Sequence, residues 1–152
     1  MDELNLQILQ ILSEDGSKSY RSISEQLKKS PITIKNHIEE MEKTGIIKSY
    51  GVQIDYEKLG YDIIALIEIT VSKGKMLEVE KKIANNPNVF AVYDITGTYD
   101  ALILARFKTR AKLSEMIKDE IHASPYVEHT NTHIVLNVIK EENSFTELMT
   151  KD

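Results

Sequence analysis

The sequence predicts an α+β chain in two parts: three short helices, then strands and helices in the order β-α-β-β-α-β. Three observations predict it. Up to Met41, apolar residues recur at three- and four-residue intervals, as one face of a helix requires. Ser30-Pro31 sets a preferred N-cap beside proline at the first helical position, where the missing N–H costs nothing. From Tyr61 onward the texture changes to β-branched runs bounded by Gly, Asn, Pro and Ser.

Leu4, Ile8, Ile11 and Leu12 form one helical stripe, with Gly16 as its stop. Ser19 caps a second, short helix whose inward positions are Tyr20, Ile23 and Leu27. The third helix starts at Ser30, turns Ile34, Ile38 and Met41 inward, and ends at Gly45. Only a few residues separate the last two helices, which makes a helix-turn-helix unit. Residues 46–54 read as an extended strand completing a winged-helix-like domain over 1–54, and 55–60 as a hinge.

YDIIALIEITVS is a strand with Ile63, Ala65, Ile67 and Ile69 on one face and Ile64, Leu66 and Glu68 on the other. Met76, Val79 and Ile83 make a helix that stops near Asn85-Asn86-Pro87. VFAVYDIT and ALILARFK are two strands joined by a turn at Gly97. A helix follows from Thr109, with Leu113, Ile117 and Ile121 at four-residue spacing, until Ser124-Pro125 breaks it. VEHTNTHIVLNVIK is the last strand. This order over 61–140 is the βαββαβ, ferredoxin-like unit: four antiparallel strands with two helices on one face. The tail, 141–152, is polar, with Phe145 and Leu148 placed to anchor one turn. Such a sheet leaves its second face apolar unless another copy covers it, so the expected state is a symmetric dimer or larger.

With 152 residues, 41% hydrophobic and 28% charged, the composition is that of an ordinary globular chain. No apolar run approaches the ~18 residues of a membrane-spanning helix. The acidic, amphipathic start does not resemble a signal peptide, and a cytoplasmic protein is expected. The absence of cysteine excludes disulfides, thiol catalysis and thiolate zinc sites. A net charge of −5 argues against nucleic acid only when the chain is taken whole. Residues 18–37 hold Lys18, Arg21, Lys28, Lys29 and Lys35 against Glu25 alone, and phosphate neutralisation is local to a contact surface.

These residues suggest two sites. Pro31, Ile32, Thr33, Lys35, Asn36 and His37 lie in the N-terminal half of the third helix, the half that reaches base edges in helix-turn-helix docking. Asn36 can pair bidentately with adenine, and Lys35 can meet guanine or phosphate. With Arg21, Lys28, Lys29 and Ser30 they form the candidate DNA face; the alternative is a structural module with a solvated polar face. The run Gly97-Thr98-Tyr99-Asp100 supports a pocket for a small zwitterion: Asp100 for the ammonium, and backbone N–H groups with Thr98, Thr130 and Thr132 for the carboxylate. A plain hairpin turn, with Gly97 at positive φ and Asp100 bonding the backbone, accounts for the same residues. His122, His129 and His133 raise a metal site, but no carboxylate clusters with them in sequence, and solvent or interface histidines are the favoured reading. No phosphate loop, nucleophile elbow or HExxH motif appears, so neither catalysis nor a cofactor or metal is expected.

The run DELNLQIL with Ser30, Ile34, His37-Ile38, Met41-Glu42 and Gly45-Ile46-Ile47, and then GTYD and TNTHIVL, together resemble the Lrp/AsnC (leucine-responsive, feast/famine) transcription factors. The resemblance runs from residue 2 to about 140. It implies double-stranded DNA as partner and a βαββαβ domain that dimerises, assembles to an octamer and binds amino acids at its interfaces. It implies further that GTYD is the effector-pocket signature and that the Thr130–Thr132 strand, with Ile134, completes the pocket. His37 stands where the family usually has Arg. Two rivals remain: a tetrapyrrole enzyme like siroheme decarboxylase, with His122, His129 or His133 near its pocket, and an architectural DNA-binding protein without effector.

Overall fold

Helices over the first fifty residues follow from three capped starts. The computed structural model describes residues 2–141, which form two compact units, one ending at Gln53 and the other spanning Ile54–Ile139. In the first, α1 (Glu3–Glu14), α2 (Tyr20–Leu27) and α3 (Pro31–Lys43) each begin at a residue whose side-chain oxygen accepts a backbone N–H. Asp2 accepts from Asn5, Ser19 from Ser22 and Ser30 from Thr33, each cap contributing about 1 kcal/mol. Ile8, Ile11, Ile23, Ile34, Ile38 and Met41 make the core, with Leu4, Leu12, Leu27 and Ile47 around it. Tyr20, expected inside, is exposed; Ser24 is buried in that helix instead, its hydroxyl donating to the Arg21 carbonyl. Gly16 does not act as a left-handed stop. Asp15 ends α1 in an extended conformation, its carboxylate accepting from the N–H and hydroxyl of Ser17. Gly45 does turn left-handed, with φ +76°, and brings the Ile47 N–H back to the Met41 carbonyl.

The strand expected at 46–54 does not form. A strand needs a ladder partner, and no described residue pairs with this segment; Val52 is 83% exposed. The expected hinge, 55–60, takes a turn conformation over 56–60. Asp55 accepts from the Lys58 N–H, Tyr61 N–H bonds the Tyr56 carbonyl, and the Arg106 guanidinium lies over the rings of Tyr56 and Phe90.

The second unit runs β1 (Ile63–Val71), α4 (Met76–Ala84), β2 (Val89–Asp94), β3 (Ala101–Phe107), α5 (Arg110–Met116) and β4 (Val127–Ile134). The sheet is antiparallel throughout, in the order β2-β3-β1-β4. Ile67 pairs with Ile103 on one side and Thr132 on the other; Ile69 pairs with Ala101 and Thr130. Ala65, Ile67, Ile69, Ala101, Ile103, Ala105 and Phe107 therefore share the face buried under Val79 and Ile83 of α4 and Leu113 and Met116 of α5. After Met116 the helix widens into a π turn, Ile117–Ile121. Leu113 and Ile121 are buried as expected and Ile117 packs partly buried against the core, while Met116 adds a buried position that the four-residue spacing did not give.

The other face is open. Ile64 and Leu66 on β1, Leu102 and Leu104 on β3, and Ala91 and Tyr93 on β2 make it apolar on one side. Glu68, Thr70, His129, Asn131 and His133 make its β1–β4 side polar. β4 is shorter than expected, ending at Ile134. Beyond Val135, whose N–H still bonds the Ile64 carbonyl, Leu136 and Ile139 are 90% and 94% exposed. Phe145 and Leu148 lie outside the described residues.

Candidate functional site

The turn between α2 and α3 is three residues, Lys28 to Ser30, and it is tight enough to force Lys28 into the left-handed region, φ +53°. That turn presents Lys28 and Lys29 to solvent beside the N-terminus of α3. Ile32 is 68% exposed at the second helical position, an apolar side chain with no core to join. Asn36 is exposed. Three of the other candidates have local partners. The Ser30 hydroxyl caps Thr33 and also meets its Oγ1 at 2.8 Å, Arg21 pairs with Glu25 at 3.1 Å, and Lys35 pairs with Glu39 at 3.4 Å. Both ion pairs are well exposed, worth ~0.3–0.5 kcal/mol each, so phosphate can displace them. His37 departs from its expected place on the outward face. Its Nδ1 meets Asn5 Oδ1 at 2.7 Å and lies 3.8 Å from Asp2, so the ring ties α3 to the start of α1. Nothing in the spacing of residues 5 and 37 could have foretold that bond.

In the hairpin loop between β2 and β3, Gly97 takes φ +120°, and a side chain there would meet nothing within 4 Å. Thr98 is exposed and Tyr99 half-buried. Asp100 bonds twice to β1, its N–H donating to the Ile69 carbonyl and one carboxylate oxygen accepting from the Val71 N–H at 2.8 Å, and once within the loop, its carbonyl accepting from the Ile95 N–H. Val71 is where the β1–β4 register slips, so its N–H leaves the ladder and Asp100 satisfies it. The carboxylate is thus half spent on structure. Thr130, Thr132 and Ile134 lie on the helix-covered side of β4, Thr130 bonded to His122 Nε2 at 3.0 Å. β1 stands between β3 and β4, about 10 Å in all across two strand spacings.

The three histidines divide between faces. His122 bonds Thr130 on the helix side, whereas His129 and His133 share the open face. The three histidines are therefore not gathered into one cluster. His133 does have a carboxylate, one not near it in sequence: Glu68, sixty-five residues away, lies 3.1 Å from its Nε2. A second carboxyl pair sits beside the loop. Burial first, then the hydrogen bond and charge of Asp94, push the Glu80 carboxyl up to about 7. Glu80 Oε1 is buried without a partner. Sequence distance hides both clusters, because only the sheet register and the packing of α4 on β2 bring them together.

With this geometry in place, comparison with known proteins is direct. Residues 64–145 match the family described as the Lrp/AsnC ligand binding domain, and residues 1–48 match winged helix-turn-helix DNA-binding. An uncharacterized HTH-type transcriptional regulator of Pyrococcus abyssi is 39% identical over 142 residues, covering 93% of this chain and 96% of the relative. The structure of E. coli AsnC superposes with a TM-score of 0.90 at 25% identity, covering 96% of this chain and 98% of that one. B. subtilis LrpC superposes with a TM-score of 0.83 at 26% identity, covering 93% and 99%. Among the described residues no helix is long and apolar enough to cross a membrane.

Proposed function

The chain belongs to the Lrp/AsnC family of DNA-binding transcriptional regulators, and on that premise we propose that it reads a specific operator under the control of an amino acid. The observation that carries the DNA half is the N-terminal part of α3. Ile32, Lys35 and Asn36 stand outward there on a capped helix, with Lys28 and Lys29 exposed in the turn before it, while the acidic Glu39, Glu40 and Glu42 follow toward its other end. Phosphate contacts from Arg21, Lys28 and Lys29 set the register, with Ser30 and Thr33 shaping the helix start, and Asn36 and Lys35 read base edges. His37 acts here by holding α3 on α1.

The effector half rests on placement. Gly97, Thr98, Tyr99 and Asp100 sit at the end of a hairpin with open space beside Gly97, and Thr130, Thr132 and Ile134 line an edge strand. Because β1 separates them, the pocket joins the loop of one copy to β4 of another. The second Asp100 oxygen takes the ammonium, and the threonine hydroxyls take the carboxylate. Such a site couples by geometry: an effector seated between copies changes how they pack, and with it the spacing of paired recognition helices.

The test is binding to operators selected from random DNA. Asn36→Ala is expected to relax base preference, and Arg21→Ala to weaken all sequences while lowering the salt slope by about one. Unchanged binding in both would remove this face from the DNA contact. A thermal-shift screen of the twenty amino acids, repeated with Thr132→Ala, tests the pocket separately.

A further inference from the structure

On the open face of the sheet, three side chains meet in a closed ring. Asn131 Nδ2 is 3.0 Å from Glu68 Oε2 and 2.9 Å from His133 Nε2, and that nitrogen is 3.1 Å from the same Glu68 oxygen. Asn131 stands directly opposite Glu68 in the ladder, and His133 opposite Leu66. A ring of three contacts cannot alternate donor and acceptor. With Glu68 ionised and the amide nitrogen inward, His133 either repels the carboxylate as an acceptor or repels the amide as a donor. With the amide turned, two oxygens face each other. With Glu68 ionised, every arrangement of the other protons leaves one contact between like groups.

A cation removes the conflict. Turning the Asn131 amide presents two oxygens and one imidazole nitrogen, all lone pairs, to a common centre. Neighbouring ligands at right angles around an ion with bonds of ~2.1 Å lie roughly 3.0 Å apart, which is the spacing of this ring. We propose that Glu68, Asn131 and His133 form a binding site for a divalent first-row transition ion. One imidazole with a carboxylate and an amide oxygen suits zinc or nickel; magnesium and calcium prefer all-oxygen shells. The three ligands occupy one side of the ion, and the other positions face away from the sheet, open to water or to a second copy. Thr70, next along the same face of β1, has a buried hydroxyl with no partner, which adds polar character to this corner. An ion here joins edge strand β4 to β1 and is a second input to the domain, independent of the effector.

The full-length chain, untagged and stripped with a chelator, is titrated with Zn²⁺ by calorimetry while the histidine ring signals are followed by NMR, with Mg²⁺ as a second arm. One Zn²⁺ per chain is expected, with the ring shift at His133 and no heat from Mg²⁺. His133→Ala and Glu68→Gln are expected to weaken binding at least about tenfold, and His129→Ala to leave it unchanged. Asn131→Asp, which supplies a charged oxygen without any amide turn, is expected to tighten it, a gain that misfolding cannot produce. Absence of Zn²⁺ binding to the unaltered chain, a ring shift at His122 or His129 instead, or wild-type affinity in both His133→Ala and Glu68→Gln overturns the proposal.

Discussion

Lys28 holds a left-handed backbone that costs an L-residue roughly 1–2 kcal/mol, at the one place where the turn leaves no alternative. Asparagine tolerates that region better, so Lys28→Asn is expected to raise stability by about 0.5–1 kcal/mol in chemical denaturation while flattening the salt dependence of DNA binding. A variant no more stable than the parent would mean that the strain is relieved elsewhere. Asp100 is the opposite case, a residue whose first duty is structural. Removing its carboxylate strands the Val71 N–H, so Asp100→Ala is expected to cost about 1–3 kcal/mol, and Asp100→Asn much less, because an amide oxygen still accepts. Equal melting of the two variants would show the Val71 bond to be immaterial. Positive φ at Gly97 was legible from residue type alone. The Lys28 strain was not, since lysine carries no such signal.

Among the elements, capped helices were the most readable, because Ser19 and Ser30-Pro31 act within one turn of themselves. The faces of β1 were equally plain from alternation. The π turn after α5 and the missing strand at 46–54 were not, since one depends on how Ile121 packs and the other on whether a neighbour exists to pair with. The contact of α4 with β2 yields a pH dependence. Folding raises the Glu80 pKa from 4.5 to about 7, so between those values the folded chain binds more protons than the unfolded one. Stability from this group is complete below 4.5 and is lost as pH rises through 7. Glu80→Gln is expected to flatten that decline and to gain about 1–2 kcal/mol at pH 8. A melting curve series with unchanged slope between pH 5 and 8, values chosen to bracket the ~7 midpoint, would exclude it.

For the molecule entire, order and type of elements and the outward half of α3 came from local patterns, whereas the neighbours of Asp100 and Thr130 depend on sheet register, which no local pattern displays. The open face of Leu66, Leu102 and Leu104 is the surface on which pairing is expected. The unaltered chain is expected to sediment as a dimer, and Leu104→Glu as a 17.4 kDa species that binds operator more weakly for lack of the second half-site. The sheet also has two margins, β2 and β4, and they are unlike. Both are bulged, β2 between Val89 and Ala91 and β4 between Val127 and His129, but only β4 runs on into the exposed Leu136 and Ile139. Counted as bonding capacity, the expected pairing gives each chain a valence of two: one face and one usable margin. A particle of valence two grows only into closed rings or open threads, and if each bond joins like to like, the pair linked by faces is the repeating link. Only even sizes should then appear as concentration rises, and a trimer at any concentration would break the count.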